Sequence, residues 1–396
     1  MKHFAKIIFL YFIWLQVLYI YFGWELDQFR LFKFTLFQVG ILFISFFVVY
    51  GMFKKYYKKE ENKTNKLILK IIFIYIFYQI FVLFPINYFD KGAALGTIIQ
   101  EIIKRFSFLL IPFIYGFVLS SFESIIITIR WINYTSIALF IIAIYNFTTD
   151  NYMLTSTGDL RVISGVSAII FIFTFVTNLS ILGAQKNNIF YIIISLLGLV
   201  FVNHRSAYLG LALILFIALY ISIFYTLNFR KLLFSSVLII LLLFPISRIP
   251  YIQENFFSRV TASFDVEDPN ARDRMMRWGM SFAYFLSNPI NGSMLENKYY
   301  GDDEALKELY PPHNFILEIL ATQGLVGFIF ILSIIFYIYK VFFRNRNDYI
   351  SLQMFYFVTF YLFYAFFNVT FFNPWNVFML MFCSSVILYR NKLLGL

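Results

Sequence analysis

The stretch LYPPHNFILEILATQGLVGFIF, residues 309–330, begins as a loop and ends as the inside of a bilayer. Pro311 and Pro312 stiffen the approach and cannot extend a helix backward through hydrogen bonds. His313 and Asn314 then fall at a helix start, and beyond Glu318 the run carries no charge. The apolar character continues to Tyr339, so 314–339 exceeds the ~20 residues that a membrane-spanning helix needs.

Similar runs recur along the whole chain. The 396 residues are 61% hydrophobic and only 13% charged, whereas a soluble domain carries about 25% charged residues. Backbone groups inside lipid must be satisfied within their own segment, so helices are expected. Strands of a barrel would alternate over ~10 residues, and these runs are long and continuous. The sequence therefore predicts an all-α, polytopic membrane protein with about twelve spans near 4–22, 34–53, 67–86, 104–121, 131–147, 165–183, 189–203, 207–225, 232–249, 314–339, 351–371 and 374–389. The first run is long for a signal peptide and lacks a small-residue cleavage site, so it reads as a retained span.

The net charge of +11 is not a nucleic-acid footprint, because the lysines cluster beside apolar spans. That is the positive-inside pattern, and the partner it implies is the bilayer. The richest cluster, KKYYKKEENKTNK at 54–66, sets the cytoplasmic side. Alternation from it places both termini in the cytoplasm. The single Cys383 excludes an intrachain disulfide. Aromatic residues make up 22%. Phe at lipid-facing positions and Tyr and Trp at interfaces account for them without a functional role. Three regions follow: spans one to nine in 1–249, a long outer loop in 250–313 with short helices, and spans ten to twelve in 314–396.

Four outer-side positions stand out. On an ideal helix Gly324 lies about 20° around the axis from His313, and Glu318 about 140°. Gly324 and Gly327 would permit close packing under His313, and Glu318 would face another helix. An interfacial histidine that merely caps a helix fits the spacing equally well. Arg205, preceded by His204 in NHRSAYLG (203–210), occupies a tight outer turn. The positive-inside rule disfavours an arginine there, although a cation near a span end often just snorkels to water. Arg161 in GDLRVISG precedes another span. In the long loop, Arg274, Arg277 and Ser281 share one side at helical spacing, with Met275, Phe282 and Leu286 on another. This predicts an amphipathic helix at the outer interface. Guanidinium forks match phosphate oxygens. A diphosphate leaving group needs charge stabilisation, and an imidazole suits deprotonation of an attacking hydroxyl. The constellation points to glycosyl transfer from a lipid diphosphate without a metal.

These residues resemble the O-antigen ligase and O-antigen polymerase superfamily of bacterial inner membranes. HRSAYL is similar to its arginine followed four residues later by leucine, here Arg205 and Leu209. HNFILEILATQGLVG resembles its His, ten residues, Gly pattern, here His313 and Gly324. ARDRMMRWGMSFAYFLSNPINGS is similar to its loop element, here Arg274, Trp278, Pro289 and Gly292. The resemblance implies a GT-C-like transferase that uses an undecaprenyl-diphosphate-linked glycan as donor and takes lipid A core or a second lipid-linked glycan as acceptor. His313 would be the base, with Arg205, Arg274 and Arg161 on the diphosphate. His204, Arg277, Asn314 and Gly324 would support them, with neither cofactor nor metal. After Arg161 the chain reads VISGVSAI and lacks the family's Asn-Pro-Asn. The two motif spacings lean toward a ligase, and the Phe-, Ile- and Lys-rich composition toward a polymerase.

Two other readings stand beside it. Glu25 and Asp27 in the first outer loop could serve a metal-assisted GT-C transferase, but His313 would then have no task. A lipid-glycan flippase would show repeats or Gly/Pro-broken spans in corresponding halves, and the sequence displays neither.

Overall fold

The structure, a computed structural model, describes residues 10–11, 14–15, 18, 30–31, 34–53, 63–90, 95–114, 122–151, 153–154, 160–179, 187–221, 269–292, 312–344, 346–368 and 374–393. The expected span at 232–249, most of that at 4–22, and most of the long loop lie outside them. So do Glu25 and Asp27.

The described elements are helical apart from two two-residue hairpins, β1–β2 (Arg30–Leu31 with Phe34–Thr35) and β3–β4 (Met153–Leu154 with Leu160–Arg161). In chain order the helices are α1 (Leu36–Phe53), α2 (Lys63–Tyr78), α3 (Leu95–Arg105), α4 (Leu110–Phe113), α5 (Phe122–Thr148), α6 (Ser167–Asn178), α7 (Ile189–Val202), α8 (Arg205–Ile221), α9 (Pro269–Ser287), α10 (Phe315–Arg344), α11 (Tyr349–Phe366) and α12 (Pro374–Leu393). Among the described residues, four helical stretches are long and apolar enough to cross a membrane: Leu67–Phe89, Glu123–Thr148, Phe315–Arg344 and Tyr349–Phe366. Shorter apolar helices, among them Ser167–Asn178, Ile189–Val202 and Ser206–Ile221, lie beside them.

The centre of the fold is α11, which packs on α6, α8, α10 and α12. Its aromatic residues Tyr356, Phe357, Phe360, Tyr361 and Tyr364 are all buried. One wing is the bundle α5–α6–α7; the other is α1 and α2 with the segments up to α4, joined through α10 and α12. Outward faces remain apolar, as in Phe46, Phe77, Phe216 and Phe336. That is the inverse of a soluble surface and the expected consequence of lipid as solvent.

Two expected spans differ in detail. The run at 104–121 is not one helix through its described part. Helix α3 ends at Arg105, a 3₁₀ turn covers Phe106–Leu109, and α4 follows. Arg105 is only 2% exposed at this break. The third span widens into π-helical turns at Gln79–Leu83 and Ile86–Asp90, on either side of Phe84 and Pro85. Proline has no N–H for the ladder.

At the end of the molecule opposite His313, Asp348 caps α11 by accepting from the Ser351 N–H (3.0 Å). It also pairs with Arg390 of α12, whose Nε donates to Oδ2 at 2.8 Å. Burial pushes the Asp348 carboxyl up, but the hydrogen bonds from Arg390 and Ser351 outweigh it and hold the pKa below the ordinary value.

Candidate functional site

The corner between α7 and α8 is built by three consecutive residues. Asn203 ends α7 in the left-handed conformation (φ 47°, ψ 56°), which asparagine tolerates better than most side chains. The His204 carbonyl accepts from Ala207 N–H (3.0 Å) and so starts α8. Arg205 is the first residue of α8; its side chain lies outside the described set. Tyr208 OH donates to Leu199 O (2.9 Å) and locks the corner.

This corner is wired to the end of α11. Asn368 Nδ2 donates to Ser206 Oγ (2.7 Å) and to Tyr364 O (2.8 Å). Ser206 Oγ in turn lies 2.8 Å from His204 Nδ1. The His204 ring packs on Tyr364 with centroids 5.1 Å apart. Tyr364 OH donates to Gly165 O (3.1 Å), which ties in the segment that follows Arg161. Arg161 itself occupies β4, opposite Met153; its side chain also lies outside the described set. Next to it Val162 O accepts from Asn146 Nδ2 (3.0 Å).

The loop helix α9 separates into the two faces expected from its sequence. Arg274, Arg277 and Trp278 are half-buried and Ser281 is buried, whereas Met275 is 54% and Leu286 60% exposed. The arginine-bearing side therefore turns toward the protein, and the apolar side toward the surroundings. Trp278 meets Phe366, at the end of α11, with ring centroids 6.1 Å apart. The helix thus reaches the same end of α11 as Asn368 and His204.

His313 stands just before α10, half-buried, with φ 50°. A non-glycine residue held there costs about 1–3 kcal/mol and is characteristic of functional sites. Asn314 is the N-cap: its Oδ1 accepts from Ile316 N–H (3.0 Å) and Leu317 N–H (3.2 Å). One turn further in, Glu318 lies within electrostatic range of Tyr361 on α11, so it faces another helix as the spacing implied.

The relation between His313 and Gly324 needs correction. Helix α10 is broken at Gly324 (φ 63°, ψ −166°), and His313 precedes the helix, so no single helical face carries both. The turn Pro289–Gly292 at the end of α9 fills the break. Pro289 O accepts from Leu325 N–H (2.9 Å) and Ile290 O from Val326 N–H (3.2 Å). The close approach needs two glycines. A Cβ on Gly324 would stand 2.2 Å from Ile290 O, and one on Gly292 (φ 67°) 2.4 Å from the nitrogens of Gln323 and Gly324. Gly324 meets a loop turn, not a neighbouring helix. The uninterrupted span read from the sequence is thus interrupted, although by a plug from the chain itself.

Sequence reasoning did not single out Asn203, Ser206 or Asn368, and it named Trp278 only as part of the loop element. The Asn203 amide, the Ser281 hydroxyl and the Trp278 N–H are buried with no hydrogen-bond partner among the described residues. Buried polar groups are normally satisfied, so the partners of these three lie outside the described residues, in solvent or in a ligand. Arg105, buried within electrostatic range of Tyr75, was also passed over; a cation inside an apolar run was its signal. A cavity of about 550 Å³ lined by Asn178, Asn188, Tyr349 and Gln353 lies at the opposite end and holds none of the expected site residues.

Fold and site first define a class: a helical membrane protein with a polar network where the α7–α8 corner and α9 meet the end of α11. More particularly, residues 190–332 match the family model described as O-antigen ligase, and over that stretch the chain is similar to O-antigen ligases. The match supports the O-antigen ligase and polymerase superfamily and, with the apolar helices, a bacterial inner-membrane setting. It covers somewhat more than a third of the chain, including His204, Arg205, Arg274, Arg277, His313, Asn314 and Gly324, and leaves out Arg161. No curated protein matches the chain.

Proposed function

We propose that the protein is a metal-independent inner-membrane glycosyltransferase acting on the periplasmic side, with both termini in the cytoplasm. It moves a glycan from undecaprenyl diphosphate to a sugar hydroxyl. The acceptor is lipid A core for a ligase, or a second lipid-linked glycan for a polymerase. The observation that carries the proposal is convergence: the His204–Arg205 corner and the arginine-bearing helix α9, both within the region that matches O-antigen ligases, meet the end of α11 through Asn368–Ser206 and Trp278–Phe366.

In this mechanism Arg205 and Arg274 bind the diphosphate, and Arg161 is a third ligand. The bond from the anomeric carbon to the diphosphate oxygen breaks as the acceptor oxygen bonds to that carbon. The guanidinium groups stabilise the charge left on undecaprenyl diphosphate. His313 accepts the acceptor's hydroxyl proton. The Asn203, Ser281 and Trp278 groups, without hydrogen-bond partners among the described residues, are suited to the hydroxyls and oxygens of a sugar diphosphate.

The experiment is chromosomal deletion followed by complementation and lipopolysaccharide gels. A ligase deletion leaves bare core and stranded carrier-linked polymer; a polymerase deletion leaves core bearing one repeat. His313→Ala restores nothing although it reaches the membrane. Arg205→Lys complements poorly because the planar fork is lost. Full complementation by either variant removes that residue from the mechanism, and loss of transfer in EDTA transfers the case to a metal-assisted enzyme.

A further inference from the structure

A second polar cluster lies well inside the helices, away from His313. Gln323 is wholly buried, and its Oε1 accepts from Tyr75 OH (2.8 Å) and from Gln79 Nε2 (2.9 Å). Tyr78 OH lies 3.3 Å from both Gln323 O and Asn291 Oδ1. Gln79 opens the π-helical turn of its span, a distortion often found at functional sites. Three distant parts of the chain are therefore tied together at one point: the α2 span, the Pro289–Gly292 turn, and the broken helix at Gly324.

Such a joint is expensive to build inside lipid, where each unsatisfied backbone group costs several kcal/mol. A continuous apolar helix would avoid that cost, so the break has to be explained by what it holds. Two arms leave the joint. From Asn288 back to Arg274, α9 runs about 21 Å; from Gly324 back to Phe315, two residues from His313, the first part of α10 runs about 14 Å. A change of roughly 10° at the joint would displace the Arg274 turn by about 4 Å over that length. Misplacement by about 1 Å can cost 100-fold in rate.

We infer that Gln323, with Tyr75 and Gln79, is a positioning residue: it fixes the angle between the arm carrying Arg274 and the arm carrying His313. The inference rests on the reading of those two residues as one diphosphate-transfer site. None of the three touches the reacting atoms.

The test uses the full-length protein in proteoliposomes, in a Cys383→Ser background. Spin labels at Met275→Cys, exposed on α9, and at Leu317→Cys, half-buried on the His313 side of the break in α10, report the distance between arms. A pair within α10, Leu332→Cys and Phe343→Cys, is the reference. Gln323→Leu should shift or broaden the inter-arm distance and leave the reference unchanged. Gln323→Glu, which still accepts from both Tyr75 and Gln79, should restore it. With membrane-extracted polyprenyl-diphosphate glycan from the deletion strain as donor, Gln323→Leu should lower kcat by about 100-fold. KM should stay within about twofold, and Gln323→Glu should recover most of the rate. An unchanged inter-arm distance in Gln323→Leu, or wild-type transfer by it, overturns the inference. Should Gln323→Leu fail to fold, Tyr75→Phe, which removes one bond into Oε1, carries the same measurement. His313→Ala should keep the wild-type distance. If it keeps transfer as well, the site reading fails while the distances still judge the joint.

Discussion

Replacing Gly324 by alanine tests the plugged break directly. Its φ of 63° and ψ of −166° fall in a region essentially reserved for glycine, and a side chain held there costs about 1–3 kcal/mol. The new methyl would also stand 2.2 Å from Ile290 O and 2.4 Å from Ile290 C. Those are backbone atoms that cannot rotate away, and such overpacking costs about 1–3 kcal/mol more. The helix can escape by straightening, so that Leu325 and Val326 find intrahelical acceptors. Pro289 O and Ile290 O, on exposed residues, then lose their donors, at about 0.5–1.5 kcal/mol each. The first route costs about 2–6 kcal/mol and the second about 1–3 kcal/mol. The assay is the temperature at which detergent-solubilised protein loses its monodisperse peak in size exclusion. Gly279→Ala is the internal control: it lies in α9 with nothing within 4 Å of the added Cβ, and alanine there should be neutral or gain up to about 1 kcal/mol. Gly324→Ala should lose its peak well below both wild type and Gly279→Ala. Equal midpoints for the two variants would refute the claim that loop and helix interlock at this point.

Two further outcomes follow from contacts already described. Asn368→Leu deletes the donor to Ser206 Oγ and Tyr364 O; it should cost about 1–3 kcal/mol and weaken transfer, measured by thermal midpoint and gel complementation. Asp348 has a folded pKa below its unfolded value, so its contribution to stability is complete above about pH 4. That contribution drains as pH falls through the folded pKa. Asp348→Asn should therefore be about 1.5–3 kcal/mol less stable at pH 7, with the gap to wild type closing on acidification; a gap that widens at low pH would contradict the pairing.

Much of the architecture is local in origin, and the chain displays it openly. Apolar runs about as long as a bilayer is thick predict the spans because lipid enforces helices. The two faces of α9 follow from period 3.6, so Arg274 and Arg277 separate from Met275 and Leu286 in the structure as they do on paper. The helix start at His313 and Asn314 after two prolines is equally legible; that Asn314 supplies the cap is seen only in the structure.

The tertiary structure alone decided where those helices stop being regular and what lies across from them. Gly324 looks like one more small residue in a span. It becomes a break because the carbonyls of Pro289 and Ile290, more than thirty residues earlier, arrive to satisfy Leu325 and Val326. Gln323 looks like a stray polar residue, yet its bond to Tyr75 crosses 248 positions. His204 reaches Asn368 through Ser206, 162 positions from its donor. Hydropathy and periodicity report each segment's preference for lipid and for its own hydrogen bonds. Which segment supplies a missing acceptor depends on packing between elements distant in the chain, and no local pattern encodes it.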